Sequence, residues 1–126
     1  PGDIVMMDGS HRSFQHSDVT VFFVEALPGL PEDVVYGLHD IFLLGDYPPT
    51  WTDRYYNEQY MLAVYLLGGA AGDRIALPLK YISEDPDLHA SAQRTIANTV
   101  HDGTRLDGST FWLHRDRPVP GGGDYL

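Results

Sequence analysis

The chain contains no cysteine. That excludes disulfides, thiolate nucleophiles and Cys-ligated zinc or iron–sulfur centres, while leaving the redox compartment open. Positive charge is scarce: eight Lys and Arg stand against eighteen Asp and Glu, a formal net charge of −10. Such a chain gains little from counterion release or from anionic lipid, so neither nucleic acid nor a membrane surface is an expected direct partner. Long apolar runs are also missing. The longest, Met61 to Leu67, is closed by Gly68 and Gly69, far short of the roughly 20 residues that a membrane span needs. Pro1-Gly2-Asp3-Ile4-Val5-Met6-Met7 has no basic leader ahead of its apolar patch, so a secretory signal is not expected and the chain is expected to be soluble.

What is present is ordinary globular material. With 126 residues, 43% hydrophobic and 12% aromatic, the chain is expected to form one domain over residues 1–126, with an irregular C-terminal tail at 118–126. Asp3 to Met7 reads as a short first strand closed by the Asp8-Gly9 turn pair, and His11 to Ser17 as a polar loop. Val19 to Val24 is a nearly continuous β-branched and aromatic run, which predicts a central strand. Pro31, Glu32 and Asp33 have the chemistry of a helix start, and Val34, Leu38, Ile41 and Phe42 recur at i, i+4, i+7 and i+8, which predicts a helix ending at Gly45.

Pro48 and Pro49 make Asp46 to Asn57 a loop. Tyr60 to Leu67 fits a strand, with a buried helix over 59–67 as the alternative, since a continuous apolar run has no diagnostic period. Gly68 to Asp73 then reads as a hairpin leading into an alternating strand from Arg74 to Tyr81. Asp85-Pro86-Asp87 predicts a second helix with a stripe of Leu88, Ala92, Ile96 and Val100, ending at His101 and Gly103. Asp107-Gly108 is a turn pair before a last strand, Thr110 to His114, with Phe111 and Leu113 on one face and Trp112 and His114 on the other. Without the first short strand the order is βαββαβ. This implies an α+β fold, an antiparallel sheet with two helices on one face in a ferredoxin-like sandwich. Pro78 lacks an amide donor and prefers an edge or a bulge, which keeps a meander with two covering helices as the fallback.

Catalytic motifs are absent. Six histidines show no zincin spacing and no HExxH string, so no metal, cofactor or catalytic residue is expected. His39-Asp40 falls opposite the expected apolar stripe and reads as exposed polar surface rather than an acid–base dyad. Gly68 to Gly72 leads into a strand, not a helix N-terminus, and is a turn rather than a phosphate loop. Pro1 has the chemistry of a tautomerase base, but removal of an initiator methionine explains it better.

The unusual feature is aromatic: Tyr47, Trp51, Tyr55 and Tyr56 crowd into a loop, and Trp112 lies opposite Phe111 and Leu113. With Tyr125 of the glycine-rich tail, these six are the expected partner-binding residues. The function expected is that of a non-enzymatic interaction subunit, packing through the aromatic loop and ordered tails into a homo-oligomer or a larger protein complex such as a virion or phage tail. The alternative is a small dimeric α/β-sandwich enzyme or ligand-binding protein with a pocket lined by Tyr60, Tyr65, Tyr81 and Trp112. Third is an acidic inhibitor of a basic partner protein.

Overall fold

A computed structural model of the chain describes residues 2–97 and 106–117. The fold is α+β: an open, mixed four-stranded sheet with helices packed against it. Its strands are β1 (Ile4–Met7), β2 (Val34–Leu38), β3 (Arg74–Pro78) and β4 (Phe111–Arg115), in the order β1-β2-β4-β3. β1 and β2 are parallel, whereas β2–β4 and β4–β3 are antiparallel. The helices are α1 (Asp18–Val21), which runs on as a π-helical stretch over Phe22–Ala26, then α2 (Glu58–Leu67), α3 (Leu79–Glu84) and α4 (Pro86–Ile96). The parallel pair and the extra helices depart from both the ferredoxin-like order and the meander.

Two elements exchange character relative to the sequence expectation. The run over 19–24 is helical: Ser17 Oγ accepts from the Thr20 amide, Asp18 lies in the first turn, and burial falls on Val19, Phe22 and Leu27 while Val21 and Val24 stay exposed. Residues 34–38 are the strand. Val34, Tyr36 and Leu38 are all buried on one face, and positions 34 and 38 satisfy a period of two as well as a spacing of four, so the supposed helical stripe was a strand read every second residue. The helical alternative holds for the third ambiguous run, where α2 buries Leu62 and ends at Gly68. Gly68 to Asp73 is accordingly a helix-to-strand connection, not a hairpin, and residues 79–81 belong to α3.

Other expectations hold as read. Asp85 Oδ1 caps α4 by accepting from the Asp87 and Leu88 amides at 3.0 and 2.9 Å. The expected end of that helix, at Val100 to Gly103, lies outside the described residues, as do the tail and Tyr125. Phe111 and Leu113 are buried on one face of β4, with Trp112 and His114 on the other. Pro78 sits on edge strand β3, whose register shifts between Ile75 and Leu77. The core gathers Phe22, Leu27, Tyr36, Leu38, Ile41, Leu62, Phe111 and Leu113, so the π-helical stretch and α2 cover the face carried by β2 and β4. No helix among the described residues is long and apolar enough to cross a membrane.

Candidate metal centre

The parallel pairing of β1 and β2 brings two distant polar segments together. Met7 stands opposite Leu38, and the His39 amide donates to the Met7 carbonyl at 3.0 Å. Asp8 and His39, the first residues past the two strands, therefore emerge side by side at the carboxyl ends of parallel strands, where α/β sheets commonly place their ligands. Asp40 follows with φ 55°, and its Oδ1 accepts from Ser109 Oγ at 3.0 Å, just before β4.

His11 arrives from the loop after β1 and is fixed at both ends. Its carbonyl accepts the amides of Asn57 and Glu58 at 2.9 and 3.2 Å, capping α2 where the Asn57 side chain makes no cap bond. Its Nδ1 lies 2.8 Å from Glu58 Oε2, with both residues buried. A hydrogen bond on Nδ1 leaves Nε2 as the free ring nitrogen, the arrangement by which a carboxylate orients a metal-binding imidazole. Burial pushes the Glu58 carboxyl above the usual carboxylate range, and the His11 contact opposes that rise. Behind this loop, Ser10 donates its amide and its hydroxyl to the Asp18 carboxylate at 2.6 and 2.5 Å, fastening the segment to the start of α1.

The free atoms converge. His11 Nε2 and His39 Nδ1 lie 3.4 and 3.5 Å from Asp8 Oδ1, and one ligand atom each from Asp8, His11 and His39 fall within 4.8 Å of one another. Asp40 reaches the same two rings with different oxygens, Oδ2 at 3.8 Å from His11 and Oδ1 at 3.4 Å from His39. These separations are long for hydrogen bonds, and His39 Nδ1 is enclosed without a hydrogen-bond partner. The two separations from Asp8 Oδ1 are close to those of ligands around one ion, since atoms held roughly 2.0–2.1 Å from a tetrahedral metal lie roughly 3.4 Å apart. Acidic side chains (Asp8, Asp40 and Glu58) outnumber the two imidazoles in this small volume, a setting that favours a cation.

His39, half-buried, thus belongs to a cluster with Asp8 and His11 rather than standing alone on polar surface, and these residues form a candidate ligand set where residue spacing showed none. Spacing rules find ligands on one helix or loop, whereas these come from two strand ends and a loop. The legible signal was the polar residues directly after two apolar runs, Asp8 after Ile4 to Met7 and His39-Asp40 after Val34 to Leu38.

The expected aromatic residues are distributed differently. Tyr47, Trp51 and Tyr56 pack with Phe42, Tyr60 and each other, edge-to-face except for the tilted Phe42–Tyr47 pair. Tyr56 also packs on His11, with ring centroids 4.6 Å apart, so this cluster adjoins the histidine site. Tyr55 is largely exposed. Trp112 lies on the opposite face of the sheet across Gly37. Tyr60, Tyr65, Tyr81 and Trp112 do not share a pocket: Tyr60 bonds Asp46, Tyr65 bonds Asp73, and Tyr81 lines an apolar recess with Leu44 and Ile75. Comparison of the chain with protein families, with curated proteins and with solved structures finds no match.

Proposed function

We propose that this protein binds one divalent transition-metal ion through Asp8, His11 and His39, with Asp40 beside the ion and Glu58 holding His11. The observation that carries this reading is the convergence of two imidazole nitrogens on Asp8 Oδ1 at 3.4 and 3.5 Å. Mixed imidazole and carboxylate donors suit zinc or iron(II) better than calcium or magnesium, which favour oxygen alone. Three protein ligands leave a coordination position for water, and the side chain of Asp8 is 57% exposed, so solvent reaches that position. Asp40, held by Ser109 and 3.8 and 3.4 Å from the His11 and His39 rings, would stand beside such an ion, and the ion would supply the polarised water that metal-assisted hydrolysis needs.

Titration of metal-free protein with zinc, followed by calorimetry and melting, is expected to give one site and a raised melting temperature. Cobalt(II) should give the intense visible absorption of a tetrahedral site. His11→Ala and His39→Ala should abolish both signals, and Glu58→Gln should weaken binding by about 10–100-fold. A protein that neither binds zinc, iron(II) or cobalt(II) nor is stabilised by them refutes the reading.

A second reading, an assembly subunit, draws on a different surface from the aromatic loop. Leu44, Val64, Leu67 and Ile75 are 86%, 68%, 88% and 54% exposed, a large apolar presence around α2 and β3. Sedimentation of the wild type against Leu67→Glu tests it, with a shift to a smaller species expected from the variant.

A further inference from the structure

The loop before α2 builds a cavity of about 220 Å³ whose walls are mostly aromatic. Tyr47, Trp51, Tyr55, Tyr56 and Tyr60 line it together with a single carboxylate, Asp46. Edge-to-face packing at centroid distances of 5.6–5.9 Å joins Tyr60 to Tyr47, Tyr47 to Tyr56 and Tyr56 to Trp51, so successive rings are turned against each other as walls rather than stacked flat. The short 3-10 turn Pro49–Arg54 carries Trp51, and Tyr55 at its end has φ 56°, which turns the chain back toward α2.

Asp46 is held in place by three donors, all on Oδ1: the Tyr60 hydroxyl at 2.6 Å, the Tyr47 amide at 2.7 Å and Gln59 Nε2 at 3.1 Å. Those bonds, that of Tyr60 foremost, keep its carboxyl below the usual range, and among the described residues Oδ2 takes no hydrogen bond. The rings already attract positive charge. The Arg54 guanidinium lies 4.0 Å from the Trp51 ring centroid and 5.6 Å from that of Tyr56.

Several aromatic side chains lining one recess with a single carboxylate suit a cation too bulky and too weakly hydrated for a simple ion pair. Ring quadrupoles stabilise diffuse positive charge, and their hydrocarbon bodies solvate methyl groups. The volume is below the range usual for whole drug-sized ligands and suits a head group. We infer that this cavity binds a methylated ammonium group, with Asp46 as counter-charge and Tyr47, Trp51, Tyr55 and Tyr60 as the surrounding faces. The site is independent of the proposed metal centre, although Tyr56 touches both.

The test is a titration followed by tryptophan fluorescence in a Trp112→Phe background, with chelator present so that the result does not depend on metal. The probes are choline, a peptide bearing one trimethyllysine, and the uncharged tert-butyl analogue of choline. Saturable binding is expected for one or both cations, at least about threefold tighter than for the neutral analogue, the scale of a solvent-exposed cation–π contact. Preference for choline assigns a free metabolite as the source, and preference for the peptide assigns a modified protein. Tyr55→Ala, at a side chain 74% exposed and outside the core, and Asp46→Asn should each weaken binding at least about fivefold with melting unchanged. Absence of binding by both cations at millimolar concentration, or equal binding of the uncharged analogue, overturns the inference.

Discussion

Arg115 and Asp73 form an ion pair closed to water, with Nη2 and Oδ2 2.9 Å apart and side chains 0% and 1% exposed. The pair is fully dressed. Arg115 Nη1 donates to the carbonyls of Leu27 and Leu30, and Asp73 Oδ2 accepts from the hydroxyls of Tyr36 and Tyr65 at 2.6 and 2.9 Å. Burial alone would lower the Arg115 guanidinium, but the bond to Asp73 and its charge, with Tyr65 and Tyr36, together more than offset this, so it stays charged. One contact thereby ties β4, β2, α2 and the turn after the π-helical stretch together.

Arg115→Met should cost about 3–5 kcal/mol in denaturant unfolding, because Asp73 would be left buried without its cation. Arg115→Met combined with Asp73→Leu should be more stable than Arg115→Met alone. A single variant as stable as wild type would show that the pair is not closed to water.

The phenols of Tyr36 and Tyr47 are both raised well above their usual value, chiefly by burial; for Tyr36 the bond to Asp73 adds to the effect. A phenol whose pKa is higher folded than unfolded contributes stability that is complete below about pH 10 and declines as pH rises above it. Tyrosinate absorbance during alkaline titration should therefore show a class that appears only together with loss of ellipticity, and Tyr36→Phe should shrink that class. Ionisation of every tyrosine before the fold opens would contradict this.

Gly9 lies where a methyl group would fall 2.0 Å from Asp18 Oδ2 and 2.8 Å from Met7 Cε. Gly9→Ala must push the Asp18 carboxylate away from Ser10, releasing the loop that delivers His11. We expect melting to shift by about 1–2 kcal/mol in stability, and zinc affinity to fall more than melting indicates. Unchanged affinity would mean that the loop needs no brace.

A strand substitution gives a check on the sheet. The Gly37→Ala methyl would lie 2.6–2.7 Å from the Trp112 ring, and the ring must tilt or the β2–β4 register must open. Overpacking of this kind costs about 1–3 kcal/mol. Trp112→Ala in the same chain should recover part of the loss, measured by chemical unfolding.

The parts of the fold legible in the sequence were those specified locally. Asp85-Pro86-Asp87 carries its own cap, and alternation in Phe111 to His114 is short and strict, so the helix starts where the pattern placed it and the strand lies within one residue of its expected bounds. The ambiguous segments were apolar on all sides: Val19 to Val24 supports either period, and Val34 and Leu38 fit both. Tertiary pairing decided them, since residues 34–38 are flanked by strands on both edges and 19–26 is not. The proposed metal site was hidden for a related reason. Asp8 and His39 become neighbours only through the parallel pairing of Met7 with Leu38, a fact that no local window contains.

The position of Pro78 bears on how this sheet behaves among other copies of itself. An outermost strand offers its unpaired amides and carbonyls as a template for further strands, and the two borders of this sheet are unequally guarded. On β3, the missing amide of Pro78 and the register shift between Ile75 and Leu77 interrupt the template. On β1, Ile4 and Met6 are 71% and 45% exposed and Ile4 to Met7 contains no proline. Fibrous or amorphous association of partly opened molecules should therefore begin along β1, and a lysine at Ile4 should slow it while leaving the folded sheet in place.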